Sequence, residues 1–291
     1  MTIEICPAAL ERNAEVLAVI ERANPHLSRR FLRFRESGAR WHDAIAITAN
    51  ADEVIASAAV IFRRAVWTPS GPALLGGIGA VATLPEMRCR GLATALLAEC
   101  EAFLASEGYE LAVLFCSIPP FYERQGWRPV VEPELRLPAS ADVSGWDLRC
   151  INMNSIPDDI RTLYSSAATG ALVRDSGIWH EYSAWIREDP DLFWAAFDNG
   201  CLRGYARARR SGDAIEVVEA TCAPSYEMAL SALLRKQLTI ASTSTLLRPS
   251  TTMMIKPLFP ACRSDRRMLA AADFEKGLPW QTRIWWPIDR F

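Results

Sequence analysis

Lysine is almost missing from this chain: Lys236, Lys256 and Lys276 are its lysines, in a sequence of 291 residues with 32 basic and 34 acidic side chains. The positive charge is therefore nearly all arginine. A formal net charge of −2 and a pI near 6.0 leave no basic field with which to neutralise a phosphodiester backbone, which argues against DNA or RNA as the partner. Histidine is equally scarce, and His26, His42 and His180 lie too far apart to offer metal-ligand spacing. The 8 cysteines (Cys6, Cys89, Cys100, Cys116, Cys150, Cys201, Cys222 and Cys262) include no CxxC pair. That speaks against both a zinc site and a disulfide framework, and leaves most of the thiols as small apolar side chains. No apolar run approaches the ~18–20 residues of a membrane span, and "MTIEICPAALERNAEVL" carries acids where a secretory leader carries base and then a greasy stretch. The expectation is a cytoplasmic protein that binds neither membrane nor nucleic acid and holds no metal.

What the chain does have is apolar mass. Half of its residues are hydrophobic, enough for a sizeable core, and at the usual ~100–200 residues per domain the length suits two domains. "TIEICP" alternates as a strand does, "AALERNAEVLAVIERA" repeats its apolar positions at helical spacing, and "HLSRRFLRFRES" suits a second helix. "DAIAITAN" and "EVIASAAVIFRRAVW" read as antiparallel strands around Asn50-Ala51-Asp52, followed by a third strand, "ALLGGIGAVATL". Leu92, Leu96, Leu97, Cys100, Phe103 and Leu104 then line one face of a helix between Gly91 and Gly108. "LAVLFCS" is a short buried strand, and "PPFYERQGW" a proline-started helix that stops at Gly126. Residues 130–150 are rich in Pro, Ser, Glu and Asp and mark a boundary between a unit at 1–140 and one at 141–291. The second unit repeats the plan: "WDLRCINMN" as strand, "IPDDIRTLYSSAA" and "IWHEYSAWIRE" as helices, "LFWAAFDNGCLRGYARARR" as a hairpin, "AIEVVEATCA" as strand and "YEMALSALLRKQLTIAS" as helix. A duplication on this scale predicts two similar α/β folds in tandem, not a solenoid of short repeats.

Chemistry concentrates at "MRCRGLATALL". Arg88, Gly91 and Ala93 form an R-x-x-G-x-A spacing between a strand and a helix. Small residues let the backbone turn tightly and expose successive N–H groups, the helix start adds the positive end of its dipole, and flanking arginines add charge-assisted bonds. The arrangement suits a diphosphate. A glycine at a helix start beside arginine also arises by chance, so the motif alone is weak; it is neither a P-loop, which lacks its Lys-Ser/Thr pair here, nor a dinucleotide fingerprint.

The stretch "GGIGAVATLPEMRCRGLATALL", followed by "LFCSIPPFYERQGW", resembles the GNAT superfamily of acetyl-CoA-dependent N-acetyltransferases, and within it the Eis-type (enhanced intracellular survival) proteins. The likeness is strong across residues 40–130 and looser in the second half. It implies two tandem GNAT folds, each a mixed, mostly antiparallel sheet flanked by helices, with acetyl-CoA as co-substrate. By the resemblance, Val81, Ala82 and Thr83 would pair with the pantetheine amides, and an N–H near Val81 would polarise the thioester carbonyl. The pyrophosphate would rest on Arg88, Cys89, Arg90, Gly91, Leu92, Ala93 and Thr94, while Ser117 and Ile118 would close the site. Tyr122 falls where the family keeps a tyrosine that protonates the departing thiolate; a thiol near ~8.5 and a phenol near ~10 make that transfer feasible. Phe291 ends the chain with an aromatic, as in the Eis type, whose terminal carboxylate is thought to deprotonate the amine.

The residues beyond the second fold are few, so the sterol-carrier-like third domain of Eis-type proteins is not expected in this sequence. At the equivalent place in the second half stands "APSYEMALSALL", with neither arginine nor glycine to build a cradle. The second fold is thus expected to be structural. Trp179, Trp185, Trp194, Trp280, Trp285 and Trp286, with Glu188, Asp189 and Asp191, could line an amine-binding cleft, but for most of them plain core and a solvated loop is the favoured reading. The implied acceptor is a primary amine of a small molecule or peptide. The competing readings are an acyl-CoA-binding regulatory protein without turnover and an interaction scaffold. Eis-type relatives form hexameric rings; a homo-oligomer here is expected as dimer, trimer or hexamer.

Overall fold

The computed structural model describes residues 3–7, 13–25, 44–52, 54–68, 71–129, 145–152, 156–166, 172–179, 190–242, 246–247 and 252–258. In the first half, β1 (Ile3–Pro7) leads to α1 (Asn13–Ala23), whose buried Val16, Leu17, Val19 and Ile20 follow helical spacing. Next come β2 (Ala44–Ala51), β3 (Val54–Thr68) and β4 (Gly71–Thr83), then α2 (Leu92–Ser106), β5 (Leu111–Cys116), α3 (Pro119–Glu123) and the two-residue β6 (Arg128–Pro129). The "HLSRRFLRFRES" helix expected from sequence lies outside the described residues. In the second half, β7 (Asp147–Cys150), α4 (Asp158–Ser166), β8 (Phe193–Asp198), β9 (Cys201–Ser211), β10 (Ala214–Cys222) and α5 (Glu227–Ile240) keep the same order, with β11 (Leu246–Leu247) after them. Of "IWHEYSAWIRE" only Ile178 and Trp179 are described, at the end of a helical turn over 176–179.

Two sheets result. With β12 (Thr252–Pro257) the last strand of the chain's described residues, the first has the order β1-β2-β3-β4-β5-β12-β6 and the second β11-β10-β9-β8-β7. Each is antiparallel except at one pair, β4 with β5 and β10 with β11. The helices divide the core: α1 packs Val16 and Ile20 with Val60 and Leu75, while α2 packs Leu96, Leu97 and Cys100 with Ile61 and Ile78. In the second unit Ile160 and Leu163 of α4 pack with Phe193 and Tyr205, and Leu230 and Leu233 of α5 with Ala206 and Val217. Among the described residues, no helix is long and apolar enough to cross a membrane.

The sheets are not strictly sequential in the chain. β12 (Thr252–Pro257) returns after the second sheet and inserts between β5 and β6 of the first, with Thr252 opposite Cys116 and Pro257 opposite Leu111. Its Met254 is fully buried in the cluster that holds Leu96 and Tyr122. The units meet again where β3 outruns β2. β2 pairs with β3 only as far as Phe62; beyond it Val66 bridges Leu172, and Val173 donates its N–H to the Ala65 carbonyl at 2.8 Å.

Candidate functional site

The parallel pair at the centre of the first sheet is short. β4 and β5 are joined from Leu75↔Leu111 to Gly77↔Val113 and no further. Past that point β4 bulges: Val60 faces Gly79 and Ala58 faces Ala82, so that Ala80 and Val81 share the place opposite Ala59. Ala80 has φ 50°, a left-handed conformation that an alanine adopts only under constraint. A bulge bends its strand and sharpens its twist. The edge at Val81–Thr83 therefore parts from the end of β5, and a wedge opens between them. Ser57, fully buried on β3, braces the bulge from behind: its hydroxyl donates to the Ala82 carbonyl at 2.7 Å and lies 2.7 Å from the Thr83 hydroxyl.

Beside the wedge stands the start of α2. Cys89 and Gly91 both take positive φ, 60° and 77°, and the helix begins with no side-chain cap. The first N–H groups of a helix have no partner within it, and the dipole makes that end positive. A Cβ on Gly91 would meet nothing within 4 Å, so the space in front of the turn is open. Arg88, Cys89, Arg90, Gly91 and Thr94 are exposed, Ala93 is half-buried, and Leu92 anchors the turn in the core. Arg88 is placed differently from its neighbours. Its guanidinium turns back, donating from Nε to the Thr83 carbonyl at 3.3 Å and from Nη2 to the Ala23 carbonyl at the end of α1 at 3.0 Å. Arg22 and Glu86 add an ion pair of 2.9 Å between the same helix and the same turn. A backbone N–H first, and Arg22 with it, hold the Glu86 carboxyl below its ordinary value.

On the other side of the wedge, Ser117 and Ile118 are exposed just past β5. The two prolines at Pro119 and Pro120 suit the first turn of α3, where their missing N–H groups are not needed. α3 carries Tyr122, which is 8% exposed and packs edge-on against Phe121 and Trp127, at 4.9 Å and 6.4 Å between ring centres. Burial, with a smaller effect from the neighbouring Cys116, pushes its phenol up to about 12. It stays protonated throughout the neutral range. The Cys116 thiol at the end of β5 is raised as well, mainly by burial.

Three polar residues that the sequence did not single out hold this region together: Ser57, Glu101 and Lys256. Trp127 donates its indole N–H to Glu101 Oε1 at 3.0 Å, and Lys256 donates to Glu101 Oε2 and to the Gln125 carbonyl, both at 2.7 Å. An arginine beside a glycine was a signal in the sequence; these contacts join distant segments and had none. Phe291 lies outside the described residues, as do Trp185, Glu188, Asp189, Trp280, Trp285 and Trp286. Trp179 is buried in the second core against Tyr164, at 5.4 Å between ring centres. Trp194 donates to the Asp191 carbonyl at 2.7 Å, and the Asp191 carboxylate is held by two bonds from Arg210, at 2.9 and 2.6 Å. These residues are committed to their own fold. Among the described residues no group of three or more His, Cys, Asp or Glu could hold a metal ion.

Residues 15–130, which contain the wedge, the turn and Tyr122, match the family model described as an acetyltransferase (GNAT) domain. No curated protein matches the chain by sequence. Among solved structures, a conserved protein of Enterococcus faecalis V583 described as a probable N-acyltransferase superposes with a TM-score of 0.66 at 17% identity, over 89% of this chain and 73% of that one. Eis1 from Mycobacterium abscessus gives 0.60 at 18% identity, over 88% and 74%. A tandem GNAT protein from the clavulanic acid biosynthesis pathway gives 0.52 at 11% identity, over 90% and 100%. At such identities the likeness is one of fold, and it spans both sheets.

Proposed function

We propose that this chain moves an acetyl group from acetyl-CoA to a primary amine of a small molecule or peptide, by direct attack in a ternary complex at the wedge between β4 and β5. The observation that carries the reading is the parting of β4 from β5 after Gly77 and Val113, beside an uncapped helix start with open space before it. A wedge alone would be a packing defect, and a helix start alone a common feature. Side by side they suit a long ligand with amides at one end and a diphosphate at the other. The GNAT match over residues 15–130 supports the same reading.

Each residue then has a distinct task. The backbone of Val81–Thr83 offers hydrogen bonds to the pantetheine arm, and an N–H near Val81 faces the charge that develops on the thioester oxygen. The N–H groups from Cys89 to Thr94 receive the diphosphate. Arg88 works from behind, by fastening the turn to α1 and to the end of β4. Ser117 and Ile118 close the far side. As the amine nitrogen bonds to the carbonyl carbon, the carbon–sulfur bond breaks; the sulfur leaves as thiolate and takes the proton of the Tyr122 hydroxyl, and the nitrogen gives up its own proton. A phenol at about 12 is a weak acid for this task, but the burial that raises it and the Cys116 thiol would raise a departing thiolate beside them too. The rise of the phenol is thus offset by the rise of the thiolate. The Phe291 carboxylate is the proposed acceptor of the amine proton, on the resemblance to the Eis type.

The test is thiol release from acetyl-CoA in the presence of a panel of polyamines, aminoglycosides and peptides. The native protein is expected to turn over at least one of them, and Tyr122→Phe to lose about 100-fold in kcat with acetyl-CoA affinity unchanged. Binding without amine-dependent release would replace this reading with that of an acyl-CoA-binding protein.

A further inference from the structure

We propose that Lys256 is a positioning residue for the transfer: carried into the first sheet by β12, its ammonium ties α2 to the turn behind Tyr122 and so fixes the phenol at the wedge. The inference rests on the reading of the site given above. Lys256 lies outside the segment that matches the acetyltransferase model, on a strand that reaches the first sheet only after the whole second unit.

The register of β12 sets its direction. Met254 lies opposite Leu114 and Lys256 opposite Ala112, so the two residues share one face of the sheet. That face is covered by α2, since Met254 is fully buried in the cluster of Leu96, Leu97, Tyr122 and Trp127. From there the ammonium makes two bonds of 2.7 Å, to Glu101 Oε2 on α2 and to the carbonyl of Gln125 just past α3. Glu101 extends the tie through its second oxygen to the Trp127 indole at 3.0 Å. Gln125 and Trp127 both donate their backbone N–H to the Tyr122 carbonyl, at 2.8 and 3.2 Å. Gly126, at φ 85°, makes the sharp turn between them. The Trp127 ring packs against the Tyr122 ring. Every path from Lys256 through these bonds ends on Tyr122.

The chemistry needs a cation that can donate to two acceptors at once. An ammonium donates in several directions from one point, so it can hold a carboxylate and a carbonyl together, whereas a methionine of similar reach holds neither. The pair is only partly screened, with the Lys256 and Glu101 side chains 24% and 17% exposed. Without Lys256, the Gln125–Trp127 turn keeps only the indole bond to Glu101 as its polar link to α2, and the ring that packs on the phenol is held less firmly.

The experiment uses the full chain with Lys256→Met, Lys256→Arg and Glu101→Gln. For Lys256→Met the expected result is a kcat lowered about tenfold to a hundredfold, with acetyl-CoA affinity and acceptor KM within about twofold of native. Lys256→Arg should recover most of the lost rate. Ultraviolet titration of each variant, read against the same variant carrying Tyr122→Phe, isolates the Tyr122 phenol. Its midpoint should fall from about 12 towards the ordinary phenol value in Lys256→Met. A folded Lys256→Met with native kcat and an unmoved Tyr122 midpoint overturns the proposal, and so does a loss of acetyl-CoA binding that matches the loss of rate. If Lys256→Met does not fold, Glu101→Gln is read by the same criteria. Failure of the acetyltransferase reading would show separately, as native protein without amine-dependent thiol release, and the Tyr122 midpoint would still decide whether Lys256 holds the phenol.

Discussion

The crossover from β4 to α2 and the crossover from β10 to α5 occupy equivalent places in the two sheets, yet among the described residues they are built differently. Their frames are alike. Among the described residues β10 pairs in parallel with β11 at Ile215↔Leu246 and Glu216↔Leu247, as β4 does briefly with β5, and it too has a bulge, between Val217 and Glu219. The fillings differ. Residues 84–91 link β4 to α2 and hold the turn at Gly91 away from the sheet, whereas residues 223–226 link β10 to α5 directly. α5 opens at Tyr226, which is covered by Trp146 at 6.2 Å between ring centres and by the Arg203 guanidinium at 4.5 Å. At the bulge the first sheet has Ala80 and Val81, and the second has Val218 and Glu219, the carboxylate of Glu219 being bonded to the Tyr205 hydroxyl and to Arg174 at 2.9 Å. Every residue of β10 is buried. A shared frame thus carries two different fillings, and the proposed site needs the open helix start that the second lacks among its described residues.

The comparison can be broken from the second side. Glu219→Gln would leave the Arg174 charge buried without its carboxylate, and a loss of about 3–5 kcal/mol in urea unfolding is expected. Acetyl-CoA binding by the protein that remains folded should persist, because the Glu219 carboxylate bonds to Tyr205 and Arg174 of the second unit.

Next in size is the loss of about 100-fold in kcat for Tyr122→Phe, measured by thiol release. The same residue makes stability depend on pH. Its folded value of about 12 lies above the ordinary 10, so the fold favours the neutral phenol. That contribution is complete below pH 10 and lost as pH rises through 12. Native protein should therefore lose about 2–3 kcal/mol more than Tyr122→Phe between those limits, as urea unfolding at each pH would read.

The smallest effect sharpens the contrast at the surface. Arg210 holds the Asp191 carboxyl below its ordinary value, so the pair contributes above that ordinary value and fades as pH falls through the lowered one. Both side chains are nearly half exposed, at 48% and 42%, and Asp191→Asn should cost under about 1 kcal/mol in unfolding. It should leave acetyl transfer unchanged, since Asp191 is paired within the second sheet.

How much of this was legible depended on distance along the chain. The turn at Arg88–Thr94 could be read because its strand, glycine and helix are neighbours in sequence. The repeated element order was legible for the same reason: periods of 2 and 3.6 are local signals. β12 was not, because "TMMIKP" becomes a strand only by pairing with Leu111–Cys116, far away in the chain. Glu101 and Lys256 were missed likewise, as their partnership spans |i−j| = 155. Arg88 was found but given a forward role; its acceptor on Ala23, 65 positions earlier, had no local signature. Trp179 shows the opposite limit, since composition alone does not distinguish an aromatic that lines a cleft from one that fills a core.

The most direct test of the central claim is calorimetric titration of the native protein with acetyl-CoA, repeated on Gly91→Trp, whose indole would enter the open space before α2. The account predicts one equivalent bound per chain by the native protein and none by the variant. Two equivalents per chain, no binding by the native protein, or undiminished binding by Gly91→Trp would contradict it.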